Sequence, residues 1–158
     1  MQRPEMNVAV VMRRRKLDNR WQSEMWEVAG VLAPYEGPQG SRQIVAHAED
    51  SQWLHTGLKL ALYRDEGEGY YLNITTDEPR VFVMWRMDDE QAVPEFVTVS
   101  SNEAGGLMDS GEEVGSVPMG PEVGRWVAEF VRDNYRPDPK KKRIRPESFK
   151  HPEDRAKR

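Results

Sequence analysis

Short runs in which apolar and polar residues alternate, separated by turn-forming residues, occupy most of the chain between residues 6 and 100. The clearest run places Leu58, Leu60 and Leu62 in one phase, and residues 80–87 place four large apolar side chains in one phase. A period of two indicates a strand with one face on a core, whereas a helix needs a period of 3.6. Turns that recur at this spacing connect consecutive strands, so we expect an antiparallel sheet.

About seven runs are predicted as strands. By position they are residues 6–12, 21–32, 43–47, 58–63, 70–76, 80–87 and 95–100. Gly30 is a candidate bulge within the second strand. The pattern is compatible with an open antiparallel β-meander and with a partly closed barrel, and it does not separate the two.

Two helices follow the predicted strands. Ser100 and Glu103 match a capping box, but the helix that they begin is weakened by two glycines and is expected to stop at Gly111. Residues 111–120 are predicted as a loop. Pro121 opens a second helix, whose apolar stripe is Val123, Trp126, Val127, Phe130 and Val131. The predicted fold class is therefore α+β, with this C-terminal amphipathic helix covering the sheet.

The charge is distributed unevenly along the chain. Residues 137–158 hold nine Lys and Arg against four Asp and Glu, whereas residues 1–136 hold fourteen against twenty-three. The net charges of +5 and −9 sum to the formal −4 of the whole chain. We interpret residues 1–136 as one globular domain and residues 137–158 as a basic tail that is disordered when alone.

The composition excludes several classes of protein. The chain has no cysteine, which excludes disulfides, thiolate zinc sites and cysteine nucleophiles and fits a reducing compartment. No apolar run approaches the roughly 20 residues of a membrane span. The Arg13-Arg14 pair lacks the apolar segment that follows a twin-arginine export signal. We therefore expect a cytoplasmic protein that makes no membrane contact.

No residue cluster indicates a reaction. His47, His55 and His151 lack the spacing of a metal site, and the acidic pairs fall in predicted turns. The glycine-rich stretch at residues 105–124 matches neither a phosphate loop nor a dinucleotide-binding motif. We predict no catalytic residue, no metal ligand and no cofactor, and no cofactor-binding residue is assigned.

Two basic blocks and an exposed tryptophan are the candidate partner-binding residues, because Trp and Arg are enriched at binding hot spots. They are Arg13, Arg14, Arg15, Lys16 and Trp21, with Lys140, Lys141, Lys142 and Arg143 as a second contact. The alternative for the first block is a solvated hairpin end with ordinary cation–π contacts.

Two segments carry a resemblance to a known family. They are residues 14–21, with the pattern RRKLDN-x-W, and residues 107–113, with the pattern LMDSGEE. Together they resemble a bacterial family defined as a domain of unknown function, whose members are typically encoded beside formate dehydrogenase and its maturation factors. The resemblance covers nearly the whole chain and implies no catalytic residue. Some relatives are labelled molybdopterin-guanine dinucleotide transferases, but this chain lacks their glycine-rich nucleotide signature.

The resemblance implies a function, and the residues leave two alternatives open. It implies a non-enzymatic accessory protein that assists assembly or cofactor loading of a molybdenum or tungsten formate dehydrogenase, with a subunit or maturation factor as partner. One alternative is a nucleic-acid-binding module that uses the basic tail, which the acidity of the body makes less favourable. The other is a carrier of the molybdenum cofactor, whose phosphate would meet residues 13–16.

Overall fold

Two antiparallel sheets and three α-helices make up the protein, in a computed structural model that describes residues 3–137. The elements in chain order are β1 (Glu5–Lys16), β2 (Glu24–Leu32), β3 (Arg42–Val45), β4 (Asp50–Ala61), a 3₁₀ turn (Arg64–Glu66), α1 (Gly67–Ile74), β5 (Arg80–Asp88), β6 (Gln91–Thr98), α2 (Ser101–Asp109), β7 (Glu113–Pro118) and α3 (Pro121–Asn134). The first sheet has the order β2-β1-β4-β3, and the second has the order β6-β5-β7.

The α+β class is confirmed, and the described residues contain seven strands and the expected C-terminal helix. The single meander and the partly closed barrel are both replaced by two separate sheets, which do not close into a barrel. The sheets contact each other through β4 against β6 and β2 against β7. The number of strands agrees with expectation only because one predicted strand is a helix and one predicted loop is a strand.

The strand predicted at residues 70–76 is wrong, because these residues belong mostly to α1. Tyr70 and Asn73 are buried three residues apart on one side of this helix, whereas Leu72 is 43% exposed. The β-branched and aromatic residues of this segment favour a strand locally, but contacts with the rest of the fold decide the outcome. The turn predicted at residues 65–69 is likewise the end of the 3₁₀ turn and the start of α1.

The loop predicted at residues 111–120 is also wrong, because it contains β7. This edge strand pairs with β5 from Glu113 opposite Trp85 to Pro118 opposite Arg80. Glycine and proline within the segment indicated a loop, but an edge strand tolerates both. The close approach of β2 explains the glycine at position 115, since a Cβ there would lie 2.8 Å from Val28 Cγ2 on β2.

The core lies between the sheets and under the helices. From β1 it receives Val8, Val10 and Met12, which are all fully buried. The predicted stripe of α3 packs against the same cluster, with Val127 fully buried and Trp126 partly buried. Burial of each large apolar side chain contributes about 1.5–3 kcal/mol, so β1 and α3 are major sources of stability. The opposite face of β1 buries Ala9 and Val11 in a smaller cluster with Leu54, and Tyr35 packs against that cluster.

Helix α1 is fixed to the second sheet by one buried amide. The Asn73 side chain donates through Nδ2 to the carbonyl oxygens of Arg80, at 2.7 Å, and Val99, at 2.9 Å. Its Oδ1 accepts from the Arg80 backbone N–H at 2.9 Å. The neighbouring Tyr70 hydroxyl accepts from the Tyr63 N–H, and burial raises the pKa of Tyr70 to about 12.

The predicted cap at Ser100 is confirmed, and it explains a close helix contact. Ser100 Oγ accepts from the Glu103 N–H at 3.1 Å and donates to Glu66 Oε2 at 2.7 Å. The Glu103 carboxylate accepts from Thr98 Oγ1 instead of reaching the Ser100 N–H, which itself donates to Thr98 Oγ1. Gly69 of α1 lies so close to this group that a Cβ there would overlap Ser100 Oγ.

Replacement of Asn73 by alanine is expected to lower the free energy of unfolding by about 2–4 kcal/mol, because it leaves an N–H and two carbonyls without their partner. Urea unfolding followed by circular dichroism measures this loss. Asn102→Ala is the matched control, since Asn102 is exposed on α2 and is expected to change stability by less than about 0.5 kcal/mol. Equal losses in the two variants would contradict the role of Asn73.

Two Gly→Ala substitutions are expected to have opposite signs. Gly69→Ala forces Ser100 from its capping position and is expected to destabilise the protein by about 1–3 kcal/mol. Gly105→Ala, within α2, adds a Cβ with no atom within 4 Å and is expected to stabilise by about 0.5–1 kcal/mol. Thermal unfolding of both variants checks the prediction, and stabilisation by Gly69→Ala would refute the close contact.

Candidate docking surface at one end of the sheets

The first basic block forms the last four residues of β1, and the strand divides it between two faces. Successive side chains of a strand point to opposite faces. Arg13 and Arg15 lie on the face of Ala9 and Val11, which we call the outer face, whereas Arg14 lies on the core face with Met12. The block is therefore not a single basic surface.

On the outer face, carboxylates from both neighbouring strands pair with the arginines. Arg13 forms a two-point contact with Asp50 of β4, in which Nε donates to Oδ1 at 2.8 Å and Nη2 pairs with Oδ2. Arg15 Nε lies 2.8 Å from Glu27 Oε1 of β2, and Arg13 Nη1 lies 3.6 Å from the same oxygen. The hydrogen bond from Arg13 lowers the pKa of Asp50. These groups form a neutralising ion-pair ladder across three strands.

The charges around this end of the first sheet balance. The cations are Arg13, Arg14, Arg15, Lys16 and Arg20, and the carboxylates are Asp18, Glu24, Glu27, Glu49 and Asp50. Five positive and five negative charges sum to zero. Attraction of a nucleic acid depends on net positive charge that releases counterions, so this surface favours a protein partner over a nucleic acid.

Trp21 is the most exposed large apolar side chain among the described residues, with 86% of its surface accessible. It stands in the β1–β2 loop, residues 17–23, which is closed by the Leu17 N–H donating to the Ser23 carbonyl at 3.0 Å. The Trp21 N–H donates to Asn19 Oδ1 at 2.9 Å, so an Asx-type turn orders the backbone beneath the indole. The Arg20 guanidinium lies 5.9 Å from the centre of its ring.

A cleft of about 390 Å³ opens on the core face at the same end. Its floor contains Trp26 and Trp53, whose ring centres are 5.1 Å apart, and Arg14, whose Cζ lies 5.5 Å from the Trp53 ring centre. The β5–β6 turn faces them with Asp88, Asp89 and Glu90. We use the name loop end for the β1–β2 loop, residues 46–49 before β4, and this turn together.

The cleft was not predicted from the sequence. Trp26 and Trp53 are both partly buried. Their proximity depends on β1, which places Arg14 opposite Trp26 and Met12 opposite Trp53. The sequence contains no local signal for this register between distant strands.

The remaining predicted sites are placed as follows. Lys140, Lys141, Lys142, Arg143 and the predicted tail lie outside the described residues. Within residues 3–137, no group of three or more potential ligand side chains is arranged to hold a metal ion. His55 lies in β4, where burial lowers its pKa, and His47 lies in the preceding loop. No helix in the described part of the chain has the length and apolar character to span a bilayer.

Comparison with known proteins identifies one family. A family model described as "Protein of unknown function (DUF3305)" matches residues 7–144. The match includes every strand and helix of the fold except the first two residues of β1. No curated protein and no solved structure matches the chain.

The ion-pair ladder is expected to contribute to acid sensitivity. Because the pKa of Asp50 is lowered in the folded state, its stabilising contribution is present above the ordinary aspartate pKa and is lost as the pH falls. Asp50→Asn is therefore expected to show a shallower loss of stability between about pH 6 and pH 3 than the unmodified chain. Urea unfolding across that range measures the slope.

Asp18→Asn is the control for this prediction, since Asp18 is an exposed aspartate in the neighbouring β1–β2 loop. Its stability is expected to follow the slope of the unmodified chain. The same slope in Asp50→Asn and Asp18→Asn would mean that the Arg13–Asp50 contact does not form in solution.

Proposed function

The chain belongs to the DUF3305 family of proteins of unknown function, and from this premise we propose that it is a cytoplasmic, non-catalytic accessory protein of formate dehydrogenase. In this role it docks through the loop end on a formate dehydrogenase subunit or on one of its maturation factors. Docking there assists assembly of the enzyme or loading of its molybdenum or tungsten cofactor.

Exposure of Trp21 is the observation that carries the docking role. An indole that is 86% exposed gains little from folding, because it leaves its apolar surface in water. The Asx-type turn that orders the backbone beneath it lowers the entropy lost when a partner covers the ring. Trp and Arg are the residue types most enriched among binding hot spots, and Arg20 is adjacent.

The link to formate dehydrogenase is supported by the resemblance, and the structure gives its two motifs different roles. The RRKLDN-x-W segment covers the end of β1 and the loop that presents Trp21. The LMDSGEE segment joins α2 to β7, where Glu112 forms a two-point pair with Arg86 of β5 at 2.7 and 3.1 Å. The second motif thus serves the fold, which leaves the first as the motif suited to recognition.

The geometry favours docking over the two alternatives. A carrier that bound the cofactor phosphate through residues 13–16 would have to displace carboxylates, since Asp50 and Glu27 already pair with Arg13 and Arg15. A nucleic-acid module would meet a loop end where the charges of the first sheet cancel and the β5–β6 turn adds the three carboxylates of Asp88, Asp89 and Glu90. A protein surface that buries Trp21 requires neither the displacement of Asp50 and Glu27 nor a positively charged loop end.

Trp21→Ala is expected to weaken retention of the partner at least tenfold, because truncation of a hot-spot tryptophan costs about 2 kcal/mol or more. The measurement is affinity purification of the tagged full chain from its native host, with quantitative mass spectrometry of formate dehydrogenase subunits and maturation factors. Since Trp21 packs little, the fold and its unfolding midpoint are expected to stay unchanged.

Leu72→Ala is the matched control, because Leu72 is an exposed apolar residue on α1, away from the loop end. It is expected to retain the partner as the unmodified chain does. If no formate dehydrogenase component co-purifies with the unmodified chain, the proposed partner is wrong. If Trp21→Ala retains the partner normally, the proposed surface is wrong.

A further inference from the structure

The floor of the cleft is suited to a cation. Trp26 and Trp53 are inclined to each other by 37° and are both partly buried, so they offer indole faces in a setting drier than open surface. Indole is the best aromatic partner for a guanidinium or ammonium group. Arg14, with Cζ 5.5 Å from the Trp53 ring centre, already makes a contact of this kind.

The lip of the cleft is acidic. Asp88, Asp89 and Glu90 form neither a hydrogen bond nor an ion pair through their carboxylates with any described residue, in contrast to Asp50 and Glu27 on the outer face. Asp89 adopts a left-handed backbone conformation, with φ of 56°, at the β5–β6 turn. The turn therefore holds three carboxylates that no other described residue pairs with, across the cleft from the indoles.

The balance of charge selects the sign of the ligand. Arg14 is the cation of the cleft, and its Nε lies 3.8 Å from Glu24 Oε2. Three carboxylates then remain without a partner among residues 3–137, so the cleft attracts cations and repels phosphates and carboxylates. Pockets that bury drug-sized ligands span about 300–1,000 Å³. A volume of about 390 Å³ is near the lower limit and suits one long side chain.

We propose that the cleft between Trp26, Trp53 and the β5–β6 turn binds an arginine or lysine side chain of a partner protein. The cationic head lies between the indole faces and the carboxylates of Asp88, Asp89 and Glu90, and the aliphatic stem contacts the tryptophans. The inference deepens the proposed function, since it rests on the loop end as a docking surface and states the chemistry of the segment that docks there. Trp21 then contacts the same partner from the neighbouring loop.

The test is isothermal titration of the full chain with a tetra-arginine amide peptide. A tetra-citrulline peptide is the neutral probe of the same length and nearly the same shape. Guanosine monophosphate is the probe for a planar anionic ligand. Binding of tetra-arginine that is at least tenfold tighter than binding of either other probe is the expected result, equivalent to about 1.4 kcal/mol or more.

Two triple variants locate the binding site. Asp88→Asn, Asp89→Asn and Glu90→Gln together remove the lip charges from an exposed turn, and Asn is also tolerated in the left-handed conformation of residue 89. This variant is expected to raise the Kd for tetra-arginine about tenfold or more. Glu68→Gln, Asp77→Asn and Glu78→Gln together remove three exposed carboxylates elsewhere and change the net charge equally. The second variant is expected to leave the Kd within about twofold.

Several results would overturn the inference. They are no tetra-arginine binding up to about 1 mM, equal binding of tetra-citrulline, tighter binding of guanosine monophosphate, or equal losses in the two triple variants. The titration contains no formate dehydrogenase component. It can therefore fail while co-purification succeeds, or succeed while co-purification fails, so the two proposals are tested separately.

Discussion

The pairing of β1 with strands on both of its edges is the constraint on which the rest of the structure depends. This twelve-residue strand pairs with β4 from Glu5 to Arg15 and with β2 from Ala9 to Lys16. Since its side chains alternate, one face supplies Val8, Val10 and Met12 to the main core and the other buries Ala9 and Val11. A shift of one residue in its register would exchange these faces and move Arg13 and Arg15 to the core face, so the apolar half of the strand determines where the basic half lies.

The same constraint changes the meaning of the basic block. Four consecutive cations in the sequence suggest a single basic patch. Because side chains alternate along the strand, however, Arg13 and Arg15 lie on one face of the sheet and Arg14 lies on the other. Because β1 is central in its sheet, a strand that bears a carboxylate lies on each side of it. Asp50 of β4 and Glu27 of β2 therefore neutralise Arg13 and Arg15. Arg14 instead lies over the Trp53 ring and lines the same cleft as Trp26. The local sequence therefore shows that charge is present, whereas strand pairing determines what that charge is available to bind.

Helices and strands with a clear local sequence pattern were predictable from the sequence, whereas elements that depend on contacts with distant residues were not. Helix α3 has Pro121 at its start and a complete apolar stripe, and β5 has a regular alternation, so both were identified. Residues 70–76 resemble a strand because Tyr, Ile and Thr favour one, but in the fold they form a helix in which the buried amide of Asn73 donates to the carbonyls of Arg80 and Val99. Likewise, the exposure of Trp21 was predictable although the residue was assigned to the start of a strand, whereas the cleft requires the register of three strands and the approach of a second sheet.

The two ends of the molecule differ in how their polar groups are used, and this difference argues for recognition at the loop end. Around α1, the polar side chains of Asn73, Ser100 and Glu103 are all engaged within the fold, and Gly69 leaves no room for a side chain. At the loop end, by contrast, one indole and three carboxylates have no comparable partner within residues 3–137. Polar groups that are already hydrogen-bonded within the fold are poorly available to a ligand, because binding would first have to break their internal contacts. The paired strands of the first sheet thus hold Trp53 and Arg14 in place. The open loops beside them present Trp21 and the carboxylates of the β5–β6 turn to a partner.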